Sequence, residues 1–235
     1  MKLKQISAAI VCFGCLLGTA NAALINLGAG SFTPAASVIT FDNLNAVDPT
    51  YTVGGNTVSF GTYFTGQTVT GTNPKSLSGS PTGGSLSLIK NGTTKVVTDN
   101  ANPTSPVLSG TPIFNGPISF TFANPVAAVG LSGGYFNALH ATTIEAFDSA
   151  GASLGSITNS VLGIEFYGLF DNAGSNIAGV SFYITGNEPA GFAIDNVTFG
   201  DASVVTGHVP EPESLALVGL ALAGLGLTRR KSKQA

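Results

Sequence analysis

The chain has 235 residues with nine Lys or Arg and twelve Asp or Glu, a net charge of −3. Most of the cations sit at the ends: residues 23–208 hold only Lys75, Lys90 and Lys95 against ten acidic residues, and three minus ten leaves that stretch at −7. An acidic middle without a basic patch excludes nucleic acid as a partner, because such binding rests on neutralising phosphates.

Residues 1–22 read as a secretory signal peptide for the Sec machinery. Lys2 and Lys4 precede an apolar run from Ile6 to Leu17, and Ala20-Asn21-Ala22 forms the small-residue site for cleavage before Ala23. Both cysteines, Cys12 and Cys15, fall inside this run and leave with it, and the bulky Val11 argues against lipidation. The mature chain is therefore expected to have neither thiol nor disulfide.

Residues 23–200 alternate as half-buried strands do. Thr57-Val58-Ser59-Phe60, Ile118-Ser119-Phe120-Thr121-Phe122 and Val180-Ser181-Phe182-Tyr183-Ile184-Thr185 each place apolar residues on one face. Gly54-Gly55 is expected to join residues 51–53 to 57–60, and Ser149-Ala150-Gly151 to join 144–147 to 153–157. Asn91-Gly92 reads as a hairpin turn between 86–90 and 94–97. The Pro- and Gly-rich stretches 71–84 and 100–117 read as surface loops, and no fixed-period repeat stands out. Short strands at this spacing predict an all-β fold, a two-sheet antiparallel β-sandwich.

Gly130-Leu131-Ser132-Gly133-Gly134 matches the nucleophile-elbow pattern, but no helical pattern follows, so a strand and a turn are expected. His140 is the one histidine of residues 23–200, too few for a zinc site built on nitrogen and sulfur. Glu145 and Glu165 are the first pair to examine for glycosidase chemistry, although strand carboxylates ordinarily face water.

Asp42-Asn43 follows Ile39-Thr40-Phe41, and Asp195-Asn196 sits within Phe192-Ala193-Ile194-Asp195-Asn196-Val197-Thr198-Phe199. Strict alternation puts Asp195 on the face of Val197 and Phe199, where a carboxylate needs a partner, hydrogen bonds or a cation. Asp42 and Asp195 are candidate ligands of a structural Ca²⁺, with turn and strand-end hydrogen bonding as the alternative; no other cofactor is expected. These two segments resemble the opening and closing strands of jelly-roll ectodomains and, more distantly, carbohydrate-binding modules. That resemblance implies that the two strands lie side by side.

Residues 201–208 read as a linker to the tail, 209–233. Val209-Pro210-Glu211-Pro212-Glu213-Ser214 leads into the uncharged run from Leu215 to Leu227, and Arg229, Arg230, Lys231 and Lys233 follow Thr228. Thirteen helical residues span about 20 Å, short of the roughly 30 Å hydrocarbon core, so residues 215–228 are expected to cross with help from snorkelling and local thinning. The cations of 229–233 hold that end in the cytoplasm. A buried core helix would lose stability at Gly219, Gly224 and Gly226, whereas membrane helices tolerate glycine.

A Pro-Glu-Pro motif, a Gly-rich apolar helix and a basic end in this order resemble the PEP-CTERM sorting signal. The resemblance implies export, anchoring in the inner membrane, processing near Pro210–Pro212 by an exosortase, and release to the cell surface or beyond. The function expected is then a non-enzymatic surface or matrix protein associated with exopolysaccharide or biofilm. The alternatives are a carbohydrate-binding module using Tyr51, Tyr63, Tyr135 or Tyr167 as platforms, and a glycan hydrolase on the same sandwich.

Overall fold

The computed structural model describes residues 24–102 and 105–207. Residues 1–22, read above as a signal peptide, the segment 215–228 expected to cross the membrane and the basic residues 229–233 lie outside these residues. Among the described residues no helix is long and apolar enough to cross a membrane.

In chain order the strands are β1 (Leu24–Leu27), β2 (Ser37–Ile39), β3 (Thr50–Val53), β4 (Asn56–Gly61), β5 (Tyr63–Phe64) and β6 (Thr68–Thr70). Then come β7 (Ser76–Ser78), β8 (Leu88–Ile89), β9 (Lys95–Val97), β10 (Val107–Ser109), β11 (Ile118–Val126) and β12 (Ala128–Phe136). The series closes with β13 (Thr142–Phe147), β14 (Ser153–Thr158), β15 (Gly163–Asp171), β16 (Ile177–Ile184) and β17 (Ala193–Gly200). The helical content of the described residues is two short 3₁₀ turns, Ala29–Ser31 and Ala202–Val204.

The strands form an all-β, sandwich-like domain. A seven-stranded sheet runs β1-β15-β12-β17-β10-β9 with β2 also on β17, and a six-stranded sheet runs β14-β13-β16-β11-β4-β3. Every pairing in both is antiparallel. The expected adjacency of the Phe41 and Phe199 segments is present, since Val197 pairs with Ile39 and Phe199 with Ser37.

Alternation gives each sheet one apolar face, and the two faces share a core. Val58, Phe60, Phe120, Ile144, Val180 and Phe182 come from one sheet, and Val129, Leu131, Leu169, Ile194, Val197 and Phe199 from the other. Aromatic rings join the layers: Phe122 meets Phe199 at 5.2 Å and Tyr167 meets Phe182 edge-on at 5.2 Å. Such pairs contribute about 0.5–1.5 kcal/mol beyond the area they bury. Tyr51 and Tyr167, expected as exposed platforms, belong to this packing. Tyr167 is buried with its hydroxyl 3.0 Å from Thr142 Oγ1, and Tyr51 is half-buried against Phe41 and Phe60.

Two of the expected hairpins form. Gly54 and Gly55, at φ 58° and 77°, close β3 on β4 with Val53 opposite Asn56, the left-handed pair that a two-residue hairpin requires. Asp148 Oδ1 accepts from the Ala150 and Ala152 N–H groups to fix the β13–β14 turn.

The Asn91-Gly92 hairpin does not form. β8 pairs with β5, and β9 pairs with β10 at the edge of the seven-stranded sheet. Asp48 holds the intervening loop instead, accepting from Gly92 N–H at 2.6 Å and from Thr94 N–H and hydroxyl at 3.1 and 2.7 Å. The stretches read as loops also hold strands: β7 pairs with β6, and β10 is a buried strand between β9 and β17.

Residues 201–206 are packed against the domain. Val204 and Val205 are buried with Ala127, Ala128 and Phe170, and Thr206 N–H donates to Ser31 O at 2.7 Å. The chain thus departs from the end of the sandwich where Gly200 pairs with Ala128.

Candidate functional site

The expected sorting residues Val209, Pro210, Glu211 and Pro212, the expected basic stop Arg229, Arg230 and Lys231, and the expected cleavage site Ala20, Ala22 and Ala23 lie outside the described residues. Of the remaining candidates, Asp195 has the most defined setting.

β12 and β17 pair as Gly130↔Thr198 and Ser132↔Asp195, so β17 carries one more residue than β12 between these points. The extra residue is a β-bulge, and Asn196 takes it up at φ 51°, a conformation Asn tolerates better than most residues. Ile194, Val197 and Phe199 therefore all reach the core, and Asp195 leaves the alternation that would have put it beside Val197 and Phe199. It shares the outer face of the sheet with its partner Ser132, in a recess of about 80 Å³ lined also by Asp99 and Asn102.

Asp195 is 3% exposed. Asn102 Nδ2 donates to its Oδ2 at 2.9 Å and Asn196 N–H to its Oδ1 at 2.7 Å, with the Ser105 side chain also bonded to it. Burial pushes this carboxyl above its usual range. The bonds from Asn196, Asn102 and Ser105 pull it back, and the negative charge of Asp42 adds to the rise. Asp42 itself is exposed and accepts from Thr40 Oγ1 at 3.0 Å. Of the three ways to satisfy Asp195, the structure supplies hydrogen bonds. Among the described residues no group of three or more His, Cys, Asp or Glu is placed to hold a metal.

The other candidates are not brought together. Ser132 lies inside β12 with no helix after it, and His140 is an exposed loop residue whose Nδ1 is 3.1 Å from Thr158 Oγ1. Glu145 and Glu165 stand on different sheets. Glu145 accepts from Ser153 and Tyr183 hydroxyls, and Glu165 accepts from Ser160 and Val161 backbone N–H groups and the Ser160 hydroxyl. Glu188, buried at 2% exposure and not singled out in the sequence, takes backbone N–H groups of Asn137, Ala138 and Ala190. Glu165 and Glu188 organise loops and Glu145 bonds across neighbouring strands, uses that spacing in the sequence does not reveal.

A second recess of about 160 Å³ shares Asp99 and Gly134 with the first and has the exposed Tyr135 on its wall. A larger groove of about 470 Å³ lies elsewhere, lined by Thr62, Tyr63, Gln67, Lys75, Asn91 and Thr93 among others. Sequence reading singled out Tyr63 alone in this set as a ligand contact. Gln67 and Lys75 carry no motif, and Asn91 was assigned to a turn.

The fold and these sites define an all-β, sandwich-like domain with polar surface recesses. Residues 208–231 match the PEP-CTERM protein-sorting motif, so the chain carries this signal. The motif implies an exported protein, membrane-anchored transit and exosortase processing. No curated protein matches the chain. Among solved structures, the chain is similar to the enzymatically active domain of tailspike protein 4 of bacteriophage CBA120, at 20% identity and a TM-score of 0.33. The match covers 61% of this chain and 19% of that one.

Proposed function

We propose that this is a non-enzymatic protein of the cell surface or extracellular matrix, delivered by its PEP-CTERM signal and associated with exopolysaccharide. The observation that carries the reading is the match at residues 208–231 behind a folded domain. Residues 215–228 serve as the anchor in transit, with 229–233 in the cytoplasm and the β-sandwich, of jelly-roll type, outside. Support for a non-catalytic role comes from the separation of Glu145 and Glu165 on two sheets and from their engagement in local bonding.

The second reading is a carbohydrate-binding module, favoured by the polar groove that contains Tyr63. A hydrolase on the same sandwich is the third. Changing Pro210 and Pro212 together to Ala is expected to leave full-length protein in the inner membrane; normal shortening and export of that variant would remove the sorting reading. A hydrolysis screen of the full chain against glycans is expected to show no turnover, and turnover would overturn the non-enzymatic assignment.

A further inference from the structure

The groove around Lys75 is lined by hydroxyls, two amides and an ammonium, with no carboxylate in its wall. Phe64 N–H donates to Gln67 Oε1 at 2.8 Å, which fixes the amide of a side chain only 6% exposed. Its oxygen is spent on the protein; the residue lines the groove, and its NH₂ group has no acceptor among the described residues. Asn91 is held the same way: the Thr62 and Thr93 hydroxyls donate to its Oδ1 at 2.6 and 2.7 Å, and its Nδ2 has no acceptor among the described residues. Lys75 adds an ammonium that no carboxylate pairs with among the described residues. Asp48 stays behind the loop, with its oxygens occupied by Gly92 and Thr94.

Two amide donors on lining residues, a cation with no carboxylate partner among the described residues and the ring of Tyr63 in one groove suit an oxyanion carried on a sugar. The donors satisfy the anion through charge-assisted hydrogen bonds, and the ring covers a pyranose face. The placement also fits an outward-facing role. Lys75 N–H donates to Asn115 O at 2.8 Å and Phe192 N–H to Phe114 O at 2.6 Å, tying this region to the end of the sandwich where β17 begins. The chain leaves for its tail past the other end, beyond Gly200.

We propose that the groove formed by Tyr63, Gln67, Lys75 and Asn91 binds the carboxylate of a uronate residue in an acidic polysaccharide. The net charge of −7 over residues 23–208 opposes a polyanion at long range, but a Debye length of about 8 Å at physiological salt screens the remote carboxylates. The inference rests on the proposed association with exopolysaccharide for where the ligand is met. The donor set of the groove stands without it.

The test is calorimetric titration of the full chain in detergent micelles with oligogalacturonate, its neutral methyl ester, and inorganic phosphate. Oligogalacturonate is expected to bind, with the ester and the Lys75→Ala variant each weaker by about tenfold or more, as for loss of a charge-assisted contact. Gln67→Glu keeps the oxygen that accepts from Phe64, turns the outward donor into an acid, and is expected to abolish binding. Equal affinity for the ester, undiminished binding by both variants, or phosphate binding as tightly as the oligosaccharide would overturn the proposal. Sorting is read separately through Pro210 and Pro212, so the two readings fail independently.

Discussion

At Asp195 the donors of Asn102, Asn196 and Ser105 turn inward onto a buried carboxylate, whereas at Lys75 two amides give their oxygens to the protein and leave their NH₂ groups to an open groove. The residue types are much the same. What differs is which end of each amide the protein has claimed. Where the amide nitrogens meet an acid the cluster is closed and structural; where the amide oxygens meet protein donors the cluster is open to a ligand. An inventory of polar residues does not separate these cases, and the hydrogen-bond partners do.

Breaking the closed cluster should have the largest effect on stability. Asp195→Ala removes the acceptor of Asn102 Nδ2 and of the Asn196 N–H, and the expected loss is about 1–3 kcal/mol, read by urea denaturation. Asp48→Ala should come next. It frees the loop at Gly92 and Thr94, where water can replace part of the bonding, so about 1 kcal/mol is expected together with weaker oligogalacturonate binding through the displaced Asn91.

Asp195→Asn sharpens the contrast through pH. Because burial raises the Asp195 pKa in the folded protein, the folded chain binds more protons than the unfolded one between the ordinary and the raised value. Stability from this group therefore falls as pH rises through that window. The variant should lose that part of the pH dependence in denaturation curves recorded across the acid range. Lys75→Ala should change stability least, within about 0.5 kcal/mol, because the half-buried side chain carries a charge that no carboxylate pairs with among the described residues. A large loss would make Lys75 a structural residue and erase the difference between the two clusters.

The strands that alternate cleanly were legible in the sequence. Thr57–Phe60, Ile118–Phe122 and Val180–Ile184 lie in β4, β11 and β16, and Gly54-Gly55 makes the turn its chemistry promises. Asn91-Gly92 misled because a turn signal says nothing about whether its flanks have better partners. Here β5 and β10 take them, and Asp48 is free to hold the loop. Alternation failed at Asp195 by one residue, since a bulge leaves no mark beyond an Asn that accepts positive φ. β10 was hidden because its three residues lie among prolines and glycines. The donors of the Lys75 groove come from β5 to β7 and the 91–93 loop, and only the tertiary fold assembles them.

The most direct measurement is the intact mass of the protein recovered from outside the native cell. The expected species begins at Ala23 and ends near Pro210–Pro212, without the apolar run and the basic tail. An external protein that retains Arg229, Arg230 and Lys231 would contradict export through the PEP-CTERM signal.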